Sequence, residues 1–183
     1  MHFRLFDTAI GACAIVWSDG GVVGFLLPEA GETAMRGRVA RRFAGALEAD
    51  APETPEPVAM AVTGVVAHLE GRLDDLAWVA LDQSASPLFN RRVYAITRAI
   101  PPGRTLTYGE VAAQLGEPGA AQAVGRALGD NPIPLIVPCH RVLAAGGRLH
   151  GFSAPGGIET KRRLLEIEGA RAGSEPDLFD PRP

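Results

Sequence analysis

Cys139, His140 and Arg141 stand together in the run Pro138-Cys139-His140-Arg141-Val142. A cysteine is mostly protonated at neutral pH, so a nucleophilic one needs a base or a positive charge beside it to supply thiolate. His140 and Arg141 are adjacent candidates for those roles. The pair alone establishes little, because an isolated cysteine is commonly a small buried hydrophobe and an isolated histidine a satisfied core residue. The flanking chain adds the rest. The apolar run Ile133-Pro134-Leu135-Ile136-Val137, read as a strand, leads into the pair, and the turn signal Gly146-Gly147 follows it.

Upstream stands Ala123-Val124-Gly125-Arg126-Ala127-Leu128-Gly129-Asp130-Asn131-Pro132. Downstream come Gly151-Phe152-Ser153-Ala154-Pro155-Gly156-Gly157 and Leu164-Leu165-Glu166-Ile167-Glu168-Gly169. With the proline-cysteine-histidine-arginine core, these segments resemble the O6-alkylguanine-DNA alkyltransferases, the methylated-DNA-protein cysteine methyltransferases. The resemblance is strong from about Pro87 to Gly169 and weaker before it.

The resemblance implies a role for each matching residue. Cys139 attacks the alkyl carbon, His140 takes the thiol proton through a water, and Glu168 orients that imidazole. Glu166 is the nearby competitor of Glu168, but only Glu168 precedes the glycine of the family's ending. Tyr108 donates to the guanine leaving group, and Asn131 ties the turn before the active strand. An O6-alkyl group lies inside the stacked duplex, so the nucleotide must be rotated out into a pocket. The family fills the gap with an arginine on the second helix of a helix-turn-helix. Here that position is Gln122, a departure for which Arg126, four residues on, is expected to supply charge. Ala123 and Gly125 make this helix thin enough for close approach to a groove. Leu128 and Phe152 are expected to pack on the flipped ring, with backbone groups near Cys139, Val142 and Ser153 reading its edge. A tyrosine is common where Phe152 stands. Lys161 is expected to favour an anionic thiolate or a phosphate, and His150 matches no family role. The thioether product implies a single turnover without metal, nucleotide or methyl-donor cofactor.

The elements that must position these residues are legible from periodicity and turn signals. Phe89 to Ile100 places Phe89, Val93, Ile96 and Ile100 on one helical face, and Pro101-Pro102-Gly103 stops it. Thr107 with Glu110 forms a capping-box pattern for the next helix. After Gly116-Glu117-Pro118-Gly119, the stretch Ala120 to Gly129 completes a helix-turn-helix. Before it, Phe3 to Asp7, Gly11 to Ser18 and Gly21 to Leu27 read as strands, with Asp19-Gly20 as a hairpin turn. Glu32 to Leu47 reads as a helix with Arg36, Arg38, Arg41 and Arg42 as a solvated face. Val58 to Glu70 reads as a second helix, and Leu76 to Leu81 as a strand. His68 has no partner legible in sequence and is assigned a structural role.

These readings predict an α/β (α+β) N-terminal support domain over 1-84. A mostly helical, winged-helix-like helix-turn-helix domain follows over 85-170. Residues 171-183 are expected to be a disordered tail whose Asp177-Leu178-Phe179 could dock a repair partner.

Bulk properties restrict the alternatives. The chain has 183 residues and is 46% hydrophobic, enough for one sizeable core or two small ones. No secretory signal or membrane span is legible, so a cytoplasmic location is the default. Cys13 and Cys139, far apart and without repeated spacing, argue against a disulfide framework or zinc cluster. Net charge is −3, but unevenly spread: −6 over residues 1–85, +4 over 86–170 and −1 over 171–183. The second half is therefore the one expected to face double-stranded DNA, as a monomer. Rival functions are a lesion-binding protein without catalysis, which the intact Cys139 disfavours, and a helix-turn-helix regulator, which the thin second helix disfavours. A cysteine hydrolase lacks an oxyanion-hole motif.

Overall fold

The computed structural model describes residues 1–170. The expected tail and its Asp177-Leu178-Phe179 lie outside the described residues. The hairpin forms as its sequence predicts: β1 (His2–Phe6), β2 (Cys13–Ser18) and β3 (Gly21–Leu26) pair antiparallel in turn. β2 is apolar along almost its whole length because both faces of the sheet are covered. Cys13, Ile15 and Trp17 enter the main core, whereas Ala14 and Val16 enter a smaller cluster with Met35 and Val39.

Those last two residues belong to α1 (Glu32–Arg42), which stops earlier than its spacing predicts. Phe43 leaves the helix, its ring taking the space over Gly24 where a Cβ would come within 2.2 Å. Gly45 then adopts φ +80°, and Leu47–Glu48 becomes β4, paired parallel with β1. Sheet order is β3-β2-β1-β4. α2 (Glu56–Leu69) buries Val58, Ala61, Val62, Val65, His68 and Leu69 along one face.

Leu76 to Leu81 is not a strand. Leu76 has φ +54°, only Leu81 bridges to Val22, and the carbonyls of Leu76, Ala77 and Val79 are satisfied by Arg98 Nη2 instead of a ladder. Arg98 ends α3 (Leu88–Arg98), so this one side chain fastens the connecting segment to the second half.

β5 (Leu106–Thr107) leads into α4 (Tyr108–Gln114), whose capping box forms as predicted. Thr107 Oγ1 accepts from Glu110 N at 3.1 Å, and Glu110 Oε2 accepts from Thr107 N at 2.6 Å. α5 (Ala121–Gly129) completes the helix-turn-helix, and Tyr94 OH on α3 donates to Ala127 O at 2.9 Å. β6 (Val142–Leu143) pairs parallel with β5, which sets the segment after Cys139 beside the start of α4. α6 (Gly157–Ile167) closes the described chain.

The result is a four-stranded mixed sheet, the two-stranded β5–β6 pair and six α-helices among the described residues. One core cluster runs through both halves, from Ile15 and Phe25 to Val111, Ile136 and Cys139, and Phe25 N donates to Pro132 O. No helix among the described residues is long and apolar enough to cross a membrane.

Candidate active site

Ile133 to Val137 is a buried turn, not the expected strand. Leu135 sits at φ +74°, a region costly for a residue with a branched side chain, and Val137 N donates back to Ile133 O at 2.8 Å. Asn131 holds this geometry: its Nδ2 donates to Val137 O at 2.9 Å, and its Oδ1 accepts from Ile133 N at 3.0 Å. The turn delivers Cys139–Arg141 as a single turn of 3-10 helix.

Cys139 is 8% exposed and lines a cleft of about 1020 Å³. Tyr108, Gln122, Gly125, Arg126, Leu128, Phe152 and Ser153, all anticipated, line the same cleft, and His150 joins them. Gly125 and Gly129 present almost no side chain along the α5 wall, as the thin helix predicts. Ser153 Oγ donates to Gly129 O at 2.9 Å, which pins the Phe152 loop to the end of α5.

Ala123 is half-buried and lies outside the lining. Val142 is fully buried, its N–H donates to Cys139 O and its carbonyl accepts from Lys161 Nζ at 2.6 Å, bonds that help hold the active turn. Lys161 is fully buried, which removes the phosphate contact considered for it. Its Nζ lies 5.9 Å from the Tyr108 ring centroid.

Burial pushes the Cys139 thiol up, while the Asn131 amide and the Lys161 charge pull it down without cancelling that cost. Burial lowers Lys161 to about 8, with Cys139 opposing. Tyr108 is raised by burial and by Cys139. Cys13 is buried core, as its lack of partners suggests, and burial pushes its thiol up to about 12.

Behind Cys139 lies a buried cluster centred on Glu168, which is 3% exposed, whereas Glu166 faces solvent. Glu168 Oε1 accepts from His140 Nε2 at 2.9 Å, His68 Nε2 at 3.0 Å and Arg141 Nη2 at 2.8 Å. Oε2 accepts from Arg141 Nε at 2.9 Å, making the arginine bidentate, and Arg141 Nη1 donates to Ile100 O. Arg141 is thus committed to the carboxylate, and the charge that pulls the Cys139 thiol down is that of Lys161. Burial alone raises the Glu168 carboxyl, but the bonds from His140, His68 and Arg141 outweigh it and hold it far below the usual carboxylate range. His140 is lowered by burial, against the pull of Glu168. With its Nε2–H on Glu168, the remaining lone pair is on Nδ1, which is buried and bonds to no protein group among the described residues. The arrangement can accept a proton at His140 Nδ1, on the residue that follows Cys139 in the chain.

His68 is the member of this cluster that sequence reasoning missed. Its signal was present: it falls three residues after Val65 on the buried face of α2, and a buried imidazole requires a partner. Nothing local showed that the partner lies a hundred residues later.

The family described as 6-O-methylguanine DNA methyltransferase, DNA binding domain, matches residues 88–170. A methylated-DNA–protein-cysteine methyltransferase of Mycobacterium bovis is 48% identical over 129 residues, 69% of this chain and 76% of that protein. One from Salmonella typhimurium is 53% identical over 81 residues, 44% of this chain and 46% of that protein. The crystal structure of Mycobacterium tuberculosis OGT in complex with DNA superposes with a TM-score of 0.73 at 35% identity, covering 94% of this chain and 97% of that one. The O6-methylguanine-DNA methyltransferase of Pyrococcus kodakaraensis gives 0.69 at 27% identity, covering 92% and 99%. With a relative matched at this identity over three-quarters of its length, and the matched domain enclosing both Cys139 and Glu168, the chain belongs to the methylated-DNA–protein-cysteine methyltransferase family.

Proposed function

We propose that this protein repairs double-stranded DNA by moving the alkyl group of O6-alkylguanine, and of O4-alkylthymine, irreversibly onto Cys139. The observation that carries the reading is the position of Cys139: its thiol opens into a cleft walled by the thin α5, and its neighbour His140 is held by a buried carboxylate.

In this reading residues 1-84 support the site and residues 85-170 bind DNA and carry out transfer in a winged-helix-like layout. The α4–α5 pair and the β5–β6 pairing beside it support that layout. Gln122 and Arg126, exposed on the cleft side of α5, face the duplex. Gln122 enters the gap left by the flipped nucleotide and hydrogen-bonds to the orphaned base, while Arg126 supplies charge to the phosphates. Leu128 and Phe152 sandwich the flipped base, with Ser153 at its edge.

His140 Nδ1 takes the thiol proton through a bridging water, and the resulting thiolate, favoured by Lys161, attacks the alkyl carbon in line. The S–C bond forms as the O6–C bond breaks, its electron pair passing to the guanine, and Tyr108 donates to the leaving base. Asn131 keeps the active turn in shape throughout. Because a thioether is not hydrolysed under these conditions, each chain acts once. The protein works as a cytoplasmic monomer and takes no cofactor.

Incubation with a duplex carrying one O6-methylguanine, followed by intact and peptide mass measurement, tests this directly. One methyl group on the Cys139 peptide, saturating at one per chain and absent from Cys139→Ala, is expected. Tight binding of the damaged duplex with no mass change would replace transfer by lesion recognition.

A further inference from the structure

His68 comes from α2, in the first half of the chain, and is fully buried. Its two ring nitrogens are both used. The backbone N–H of Asp74 donates to Nδ1 at 3.3 Å, so Nδ1 supplies a lone pair and the proton of the neutral ring sits on Nε2. That Nε2–H then points at Glu168 Oε1 at 3.0 Å, the same oxygen that receives His140. The Asp74 carboxylate takes no part, since it accepts from Leu76 N and the Trp78 indole. The titratable and charged groups facing His140 are therefore Glu168 after α6, Arg141 from the same 3-10 turn, and His68 from α2.

A carboxylate oxygen that accepts three N–H groups has less electron density to offer each. It is also fixed in position by donors from three separate elements. We propose that His68 is a positioning residue for alkyl transfer: through Glu168 Oε1 it fixes the imidazole of His140 and limits its strength as a base. The inference rests on the alkyl-transfer reading and adds that the N-terminal half belongs to the reaction machinery. Removing the donor leaves Glu168 freer to move and more basic toward His140. The rate of transfer then falls, and His140 becomes protonated at higher pH.

The test is single-turnover methyl transfer from an O6-methylguanine duplex, measured from pH 5.5 to 8.5, for wild type, His68→Leu, His68→Gln and His68→Asn. Thermal unfolding confirms that each variant is folded. Glutamine places an amide N–H near the position of Nε2, whereas asparagine is too short to reach Glu168 and is equally polar. His68→Leu and His68→Asn are expected to transfer about tenfold more slowly, as the loss of one hydrogen bond to a charged group implies. Their acid limb moves to higher pH, and His68→Gln returns both properties toward wild type. Should His68→Leu not fold, the Gln and Asn variants alone decide. A folded His68→Asn with the wild-type rate and profile would overturn the proposal, as would His68→Gln and His68→Asn being equally slow with an unmoved acid limb. In either case wild-type transfer shows that only this inference has failed, whereas a wild type that transfers nothing removes the alkyl-transfer reading itself.

Discussion

Lys161 keeps an ammonium group in a place without solvent, where it meets the Val142 carbonyl and the field of Cys139. Its proton affinity is lowered to about 8, below the value of about 10.4 for an unperturbed lysine. The unfolded chain therefore binds this proton more tightly than the folded one. Over the window from about pH 8 to about pH 10.4, the Lys161 contribution to stability rises with pH. The two buried thiols, both raised, act in the opposite sense. The difference between wild type and Lys161→Met isolates the lysine: the wild type should gain stability relative to the variant across that window in urea unfolding. A constant difference would mean that the folded protein holds the Lys161 proton as tightly as the unfolded chain does.

Glu168 shows what a single residue could and could not reveal in advance. Its position before Gly169 singled it out over Glu166, but the convergence of His68, His140 and Arg141 on it depends on chain segments that no local pattern connects. Phe152 remains a departure with a chemical consequence, since the hydroxyl usual at that position is absent from the cleft wall.

Among the elements, α5 carries the clearest functional claim. Gln122 and Arg126 are exposed on the cleft side of a helix whose other cleft-lining positions include Ala121, Gly125 and Gly129. If Arg126 neutralises one phosphate, Arg126→Ala should bind a damaged duplex more weakly. The slope of log affinity against log salt should also become shallower by about one unit. An unchanged slope would remove Arg126 from the DNA interface.

Elements held by their own backbone patterns were readable from sequence. The β1–β3 hairpin follows from alternation and Asp19-Gly20, and α4 from the Thr107–Glu110 box. Elements held by distant side chains were not. Leu76 to Leu81 and Ile133 to Val137 have the composition of strands, yet Arg98 satisfies the carbonyls of the first and Asn131 ties the second. Helical spacing continues past the end of α1 through Phe43 and Leu47, although one covers Gly24 and the other joins β4.

At the scale of the whole molecule, the proposed division between residues 84 and 85 marks a change of job more than a gap in packing. One core cluster crosses it, as do the bonds from Arg98 to the Leu76–Val79 segment, from Phe25 to Pro132 and from His68 to Glu168. Thermal unfolding is therefore expected as one transition, with coincident midpoints from far-ultraviolet circular dichroism and from tryptophan fluorescence. Both tryptophans, Trp17 and Trp78, report on the first half. Separate midpoints would show that the halves unfold independently.

The distance in sequence between Cys139 and Glu168 has a consequence for the protein as it is made. A chain emerging from the ribosome exposes the cysteine well before the carboxylate that completes its base, and His68 waits longer still for the same partner. His140 thus lacks the carboxylate that orients it until the segment after the last described helix docks.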